Sequence, residues 1–297
     1  MTRKEEITVK KTTILVSPEV RRARRRNVLQ TIFAVIATLI MVFPLYWLVV
    51  TSLKTEAEVL TLTPAFWPKS LQWSNYEFAW NAINFLRFMG NTLYVTLWTM
   101  LIQTVVGVLA AYGFAKGNFP GKNFLFLLVL SAMMIPAQVT FIPIYVMIAK
   151  LGWVDTFSGL ILPGAVSAYM IFMLRNNFMS VDQSYLDAGR VDGLGILGTI
   201  WYVLIPMCKA SVITTSLVSF IDGWNNYFWP KIISKSDSTR LISVALVKMK
   251  NMWADLSGSG FYNTIMAGVT ISIIPIILIF AFNQKYMLQG YSKSAMK

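Results

Sequence analysis

Residues 182–206 read DQSYLDAGRVDGLGILGTIWYVLIP and lie between two long apolar segments. The stretch carries Asp182, Asp187, Arg190 and Asp192. Charge is costly inside a bilayer, so these side chains belong outside the hydrocarbon. The pattern predicts two short helices with a break. Asp182 or Ser184 can cap the first, because a short polar side chain accepts a bond from a free backbone N–H. Asp192-Gly193 interrupts it, since Gly takes backbone angles that other residues avoid. Ile196, Ile200, Trp201 and Leu204 then recur at helical spacing, and Pro206 marks the start of the next segment. Two readings stand side by side: a plug for a groove on another protein, or an amphipathic loop lying on lipid headgroups.

Working outward, the chain of 297 residues is 56% hydrophobic and only 13% charged, with a mean hydropathy of +0.59. A soluble chain of this length carries more charge. A single cysteine, Cys208, and no histidine exclude a disulfide framework and argue against zinc or haem. Six apolar spans are predicted, at about 28–50, 89–113, 124–148, 158–175, 210–229 and 262–282, because about 20 helical residues cross the hydrocarbon. The expected fold is therefore an all-α integral membrane protein with six transmembrane helices. Residues 1–27 form a basic tail, 28–282 the membrane domain, 176–209 its long polar connection and 283–297 a second tail.

Arg21, Arg22, Arg24, Arg25 and Arg26 abut the first span. Next to a span, such a cluster reads as an anchor on anionic lipid rather than a nucleic-acid site. An even number of spans puts both termini on one side. The N-terminal side then holds 17 of the 26 Lys and Arg residues and the opposite side 9, so by the positive-inside rule the termini and residues 182–206 face the cytoplasm.

Few polar residues lie in or beside the spans. Gln138, Thr140, Asn225 and Asn226 are the candidates for a solute path, with Asn91 and Gln103 as further polar positions. Helix–helix hydrogen bonding is the alternative for each. Asp222 is the one acid near a span, whereas a proton- or sodium-coupled carrier calls for several ionisable groups. No Walker-type phosphate loop and no catalytic constellation is present, so the chain is not expected to be an enzyme or to hold a cofactor.

Asp187-Ala188-Gly189, two residues, Asp192-Gly193 and later Ile205-Pro206 resemble the EAA loop of ABC importer permeases. Asp187 stands where that pattern has Glu, and Gly189 where it has a second Ala. Asn91-Thr92-Leu93, Ala110-Ala111-Tyr112-Gly113, Phe119-Pro120-Gly121, Met133-Met134-Ile135-Pro136, Leu160-Ile161-Leu162-Pro163 and Gly223–Pro230 fall where such permeases have similar words. In order and spacing they resemble the carbohydrate-uptake branch, in particular the smaller membrane subunit of the maltose type.

The resemblance implies the type I ABC importer fold in a bacterial inner membrane. Asp187, Ala188, Gly189, Arg190, Asp192, Gly193 and Pro206 would belong to the loop that couples transport to an ATPase. The implied partners are a second permease subunit, an ABC ATPase dimer that binds the ATP, an extracytoplasmic solute-binding protein and a sugar or oligosaccharide. Uptake of another polar solute such as glycerol 3-phosphate is the nearest alternative, and a stand-alone channel or secondary carrier a more distant one. A reporter fused after Lys297 is expected to give a cytoplasmic signal; an extracytoplasmic signal would overturn the orientation.

Overall fold

The computed structural model of the chain describes residues 18–257 and 261–295, with side chains described for 26–251 and 261–285. Residues 1–17 of the basic tail and 296–297 of the second tail lie outside the described residues, as do the side chains of Arg21, Arg22, Arg24 and Arg25. Among the described residues the fold is helical throughout, without strands.

Among the described residues, three helices are long and apolar enough to cross a membrane: α1 (Pro18–Ser52), α4 (Phe85–Lys116) and the last helix, Tyr262–Ala295. Three bent pairs bring the number of spans to six if each pair counts as one. The first pair is α5 (Lys122–Met133) with α6 (Ala137–Lys150), bent by 101°. Its break at Met134–Pro136 follows from Pro136, which disfavours helical angles in Ile135 before it. The second is α7 (Phe157–Ile161), with its 3₁₀ extension Leu162–Gly164, and α8 (Ala168–Met179), bent by 43°. In the third, residues 196–207 meet Lys209–Asn225 at 88°. The predicted spans 124–148 and 158–175 are thus broken rather than continuous, and the one predicted at 210–229 stops as a helix at Asn225.

Two stretches expected as loops contain helices. Residues 51–88 include α2 (Glu56–Val59) and α3 (Ser74–Ala82). Residues 230–261 include Ile242–Ser257. Their apolar residues recur at helical spacing but are too few for a span, and they pack on α4 and the last helix. Phe85, Phe88, Ile242, Ala245, Leu246, Met249 and Ile265 form one buried cluster there.

α4 is about 48 Å long for its 32 residues and joins two buried clusters. Its N-terminal half meets that cluster. Its C-terminal half contributes Val108 and Ala111 to a second one, with Met170, Leu174, Phe178, Leu186, Ile200, Leu204 and Cys208. Gly107 lies where α4 and α8 approach closely, since a Cβ there would stand 2.9 Å from Cγ and Sδ of Met170. The Asn263 amide donates to Lys54 O at 3.2 Å, so the end of α1 sits beside the start of the last helix and the two run antiparallel. The starts of α1 and the ends of α4 and α8 therefore share one face of the molecule with residues 182–207.

The opposite face is closed by Asp155, which takes a left-handed φ of 60°. Its Oδ1 accepts from Lys235 N at 2.9 Å, Ser236 N at 3.1 Å and the Thr239 hydroxyl. Burial alone would raise this carboxyl, but the hydrogen bonds from Thr239, Ser236 and Lys235 outweigh it and hold it well below the usual carboxylate range. Asp155→Asn keeps a side chain tolerated at this φ while removing the charge. Because the Asn amide oxygen still accepts and only the charge is lost, it is expected to cost at most about 1 kcal/mol of stability, read as thermal unfolding in detergent. A depressed pKa gives stability that is present above the unfolded value and lost as pH falls through the folded one. The difference between wild type and variant should therefore hold from neutral pH down to about 4 and shrink below it.

Candidate functional site

The helix after α8 is α9 (Gln183–Val191), and Asp182 is its N-cap: Oδ1 accepts from Ser184 N at 2.8 Å. The backbone and hydroxyl bonds from Ser184, aided by the Lys116 charge, hold the Asp182 carboxyl below its ordinary value. Arg190 Nη1 donates to Asp187 Oδ1 at 3.0 Å, and Gln183 Nε2 donates to the same oxygen at 3.1 Å. This places three of the polar side chains in one exposed row.

The break at Asp192-Gly193 has a definite geometry. Gly193 takes φ 81°, Leu194 N donates to Gly189 O at 2.9 Å and Gly193 N donates to Arg190 O at 3.0 Å. That pair of bonds is a Schellman motif, which needs a left-handed residue just past the helix end. The apolar contact that accompanies such a motif is present as well. Leu194 folds back over Gly189, where a Cβ would stand 3.3 Å from Leu194 Cδ1 and 3.5 Å from Val203 Cγ2. Gly189 is buried, whereas Asp187, Ala188, Arg190, Asp192 and Gly193 are exposed.

The chain then continues as α10 (Ile196–Gly198), a π-helical turn Thr199–Leu204 and α11 (Ile205–Met207). The wide turn ends where Pro206 has no N–H to donate to the preceding turn. Ile200 and Leu204 point into the core, while Ile196, Leu197, Trp201 and Tyr202 are exposed. Pro206 thus lies inside the last turn of this segment, and the next helix, α12 (Lys209–Asn225), starts after Cys208. Cys208 is buried at that corner, with Cys208 N bonded to Leu204 O at 2.9 Å.

Three side chains tie this face to the long helices. Lys116 Nζ, at the end of α4, donates to Val181 O at 2.8 Å. Ser211 Oγ, on α12, donates to Asn177 Oδ1 on α8 at 2.7 Å. Arg175 stacks its guanidinium 4.0 Å from the Phe126 ring of α5.

Between α4, α6, α8 and α12 lies a cavity of about 330 Å³. Thr140 and Asn226 line it, as do Gln103, Ser219, Tyr169 and Asp222. Gln138 and Asn225 are exposed and are not among its lining residues. Asn91, a further polar position, instead donates to Ser238 O and Arg240 O at 2.9 and 3.0 Å and holds the loop before Ile242–Ser257. The polar wall from Ser167, Thr215 and Ser219 escaped sequence reasoning, because isolated hydroxyls in apolar helices ordinarily bond back to their own helix. Their signal was the recurrence of Thr215 and Ser219 at a spacing of four on one helix face.

Residues 103–293 match the family described as binding-protein-dependent transport system inner membrane component. The arabinooligosaccharides transport system permease protein AraQ of Bacillus subtilis (strain 168) is 28% identical over 270 residues, covering 90% of this chain and 94% of the relative. The sn-glycerol-3-phosphate transport system permease protein UgpE of Yersinia pestis bv. Antiqua (strain Antiqua) is 27% identical over 265 residues, covering 87% and 93%. A chain in the crystal structure of a bacterial ABC transporter involved in the import of the acidic polysaccharide alginate shares the fold. Its TM-score is 0.77 at 24% identity, over 90% of this chain and 98% of that one.

The packing of Leu194 on Gly189 gives a graded expectation. Gly189→Ala needs a shift of a few tenths of an ångström and should fold. Gly189→Leu should displace Leu194, part α9 from the π-helical turn and raise proteolytic cleavage near residue 193 by about tenfold at fixed protease, a shift of about 1.4 kcal/mol in local opening. Equal cleavage of the two variants would refute this account of the position.

Proposed function

This chain belongs to the family of binding-protein-dependent transport system inner membrane components, and from that premise we propose that it is one of two permease subunits of an ABC importer for a sugar or oligosaccharide. It forms half of the translocation path, between α4, α6, α8 and α12. The second half comes from a different permease subunit. An extracytoplasmic solute-binding protein delivers the solute, and an ABC ATPase dimer binds and hydrolyses ATP. Both termini and residues 182–207 face the cytoplasm.

The observation that carries the coupling role is the Schellman-closed end of α9. Tyr185, Ala188 and Val191 stand exposed on a short, capped helix whose other side, Leu186 and Gly189, is anchored in the core. A short rigid knob with an exposed apolar tip suits a cleft on another protein. The charged row of Asp187 and Arg190 gives the dock its orientation. Closure of the ATPase pair on ATP pulls α9, and the bonds of Lys116 to Val181 and of Ser211 to Asn177 pass that displacement to α4, α8 and α12. The path then turns from inward- to outward-facing.

The relative named for sn-glycerol 3-phosphate transport supports a second reading, in which the solute is a small phosphate ester. The sugar reading is favoured by the cavity wall of amides and hydroxyls, which exchange hydrogen bonds with neutral polyols on equal terms.

Asp192→Lys and Gly193→Pro test the coupling. Proline cannot adopt the φ of 81° and has no N–H for Arg190 O. Both variants should remain in the membrane and lose ATP-driven uptake by at least about tenfold, the effect of weakening the dock by about 1.4 kcal/mol. Co-purification of the ATPase should fall in parallel. Uptake and ATPase docking that both survive would refute the coupling role.

A further inference from the structure

We propose that Asp222 makes the cavity selective against anions, so that the solute passing it is an uncharged polyhydroxylated molecule rather than a phosphate ester or an acidic sugar. The inference rests on the reading that this cavity is part of the solute path. Asp222 lies three residues before the end of α12 and is among the residues that line the cavity. Its carboxylate makes no hydrogen bond or ion pair among the described residues, and none of the described residues lining the cavity is Lys or Arg. An ionisable residue in a membrane-spanning helix is rare and costly, and it is kept where it faces water and acts on a solute.

The chemistry of the wall points the same way. Gln103, Thr140, Tyr169, Ser219 and Asn226 offer amide and hydroxyl groups that both donate and accept. A phosphate or carboxylate needs concentrated donors, preferably cations, to replace its water. The nearest substitute is the N-terminus of α8, but Ser167 Oγ already takes the Met170 N–H there at 3.2 Å. A helix end carries about half a positive charge, which a full carboxylate on the facing helix outweighs. In a space partly enclosed by helices the field of Asp222 is focused rather than dispersed.

The charge can be read without transport. Ser219→Cys places a thiol one helical turn before Asp222, and Thr140→Cys places one on another wall of the cavity. In the assembled importer each is labelled with a cationic and an anionic methanethiosulfonate reagent, and rates are divided by those for free thiol. Cys208, the single native cysteine of this chain, is buried and serves as the blank. The cation-to-anion rate ratio should exceed about fivefold, fall towards one with Asp222→Asn and persist with Asp222→Glu. In vesicles, uptake of glycerol 3-phosphate relative to arabinooligosaccharide should rise at least about threefold with Asp222→Asn.

A labelling ratio near one at both cysteines, or one indifferent to Asp222→Asn, overturns the proposal. So does wild-type uptake of glycerol 3-phosphate as fast as of the oligosaccharide. Failure of the path reading looks different: labelling Ser219→Cys or Thr140→Cys would leave ATP-driven uptake unchanged, whatever the rate ratio.

Discussion

The amide of Gln103 holds this fold together. In a membrane every backbone polar group needs a partner supplied by the protein, and a chain with three bent pairs leaves several without one. From α4, Gln103 donates to Gly164 O, inside the break between α7 and α8, and its own carbonyl accepts the Ser219 hydroxyl of α12. One side chain thus satisfies a broken helix and ties it to two others. Thr104 repeats the tie to α12 through Ser216 at 2.9 Å, and Ser167 caps the restart of α8. Gly164 is half-buried, so losing this partner costs about 1 kcal/mol, and the amide helps to hold the bend in α7–α8. The same bonds explain why the wall of the cavity is polar. The groups that allow the helices to bend also face the space the bend opens.

The two faces of the molecule are built differently. At the face opposite residues 182–207, one acid in a left-handed turn gathers the chain: Asp155 binds Lys235, Ser236 and Thr239 across 80 to 84 residues. Nearby, Trp229 Nε1 donates to Gly159 O at 2.9 Å and closes the layer beneath. At the other face Lys116 ties the end of α4 to Val181 just before α9, and Ser211 ties α12 to α8 through Asn177. The first arrangement is a clasp within loops. The second links a small exposed knob to three helices, so a displacement of the knob has a physical route into the spans.

How much of this was legible follows from the range of each interaction. The cap at Asp182 and the break at Gly193 are local, and residue type alone announces them. Gly189, which stands where the family pattern has Ala, costs helix propensity, and what it provides is tertiary: Leu194 and Val203 pack close over the helix there. α3 and the helix Ile242–Ser257 were read as loops, since neither is apolar enough to span and their packing faces meet residues far along the chain. Among the path candidates, sequence could not separate neighbours. α12 ends at Asn225 and Asn226 turns into extended backbone, so Asn226 reaches the cavity while Asn225 does not.

α12 joins the two halves of the functional reading. Its start is the Cys208 corner, where α8, α11 and α12 meet, and its far turns carry Ser219 and Asp222. Its 17 residues span about 25 Å. A helix is stiff over that length, so a rotation imposed at the corner reaches the cavity nearly undiminished. Thr215 and Ser219 would turn together with Asp222, because residues four and three apart share a face. Gln103 would then have to release or follow Ser219. On the proposed reading, the bond between them is therefore both a strut of the resting fold and the contact that must change when the path opens to the other side.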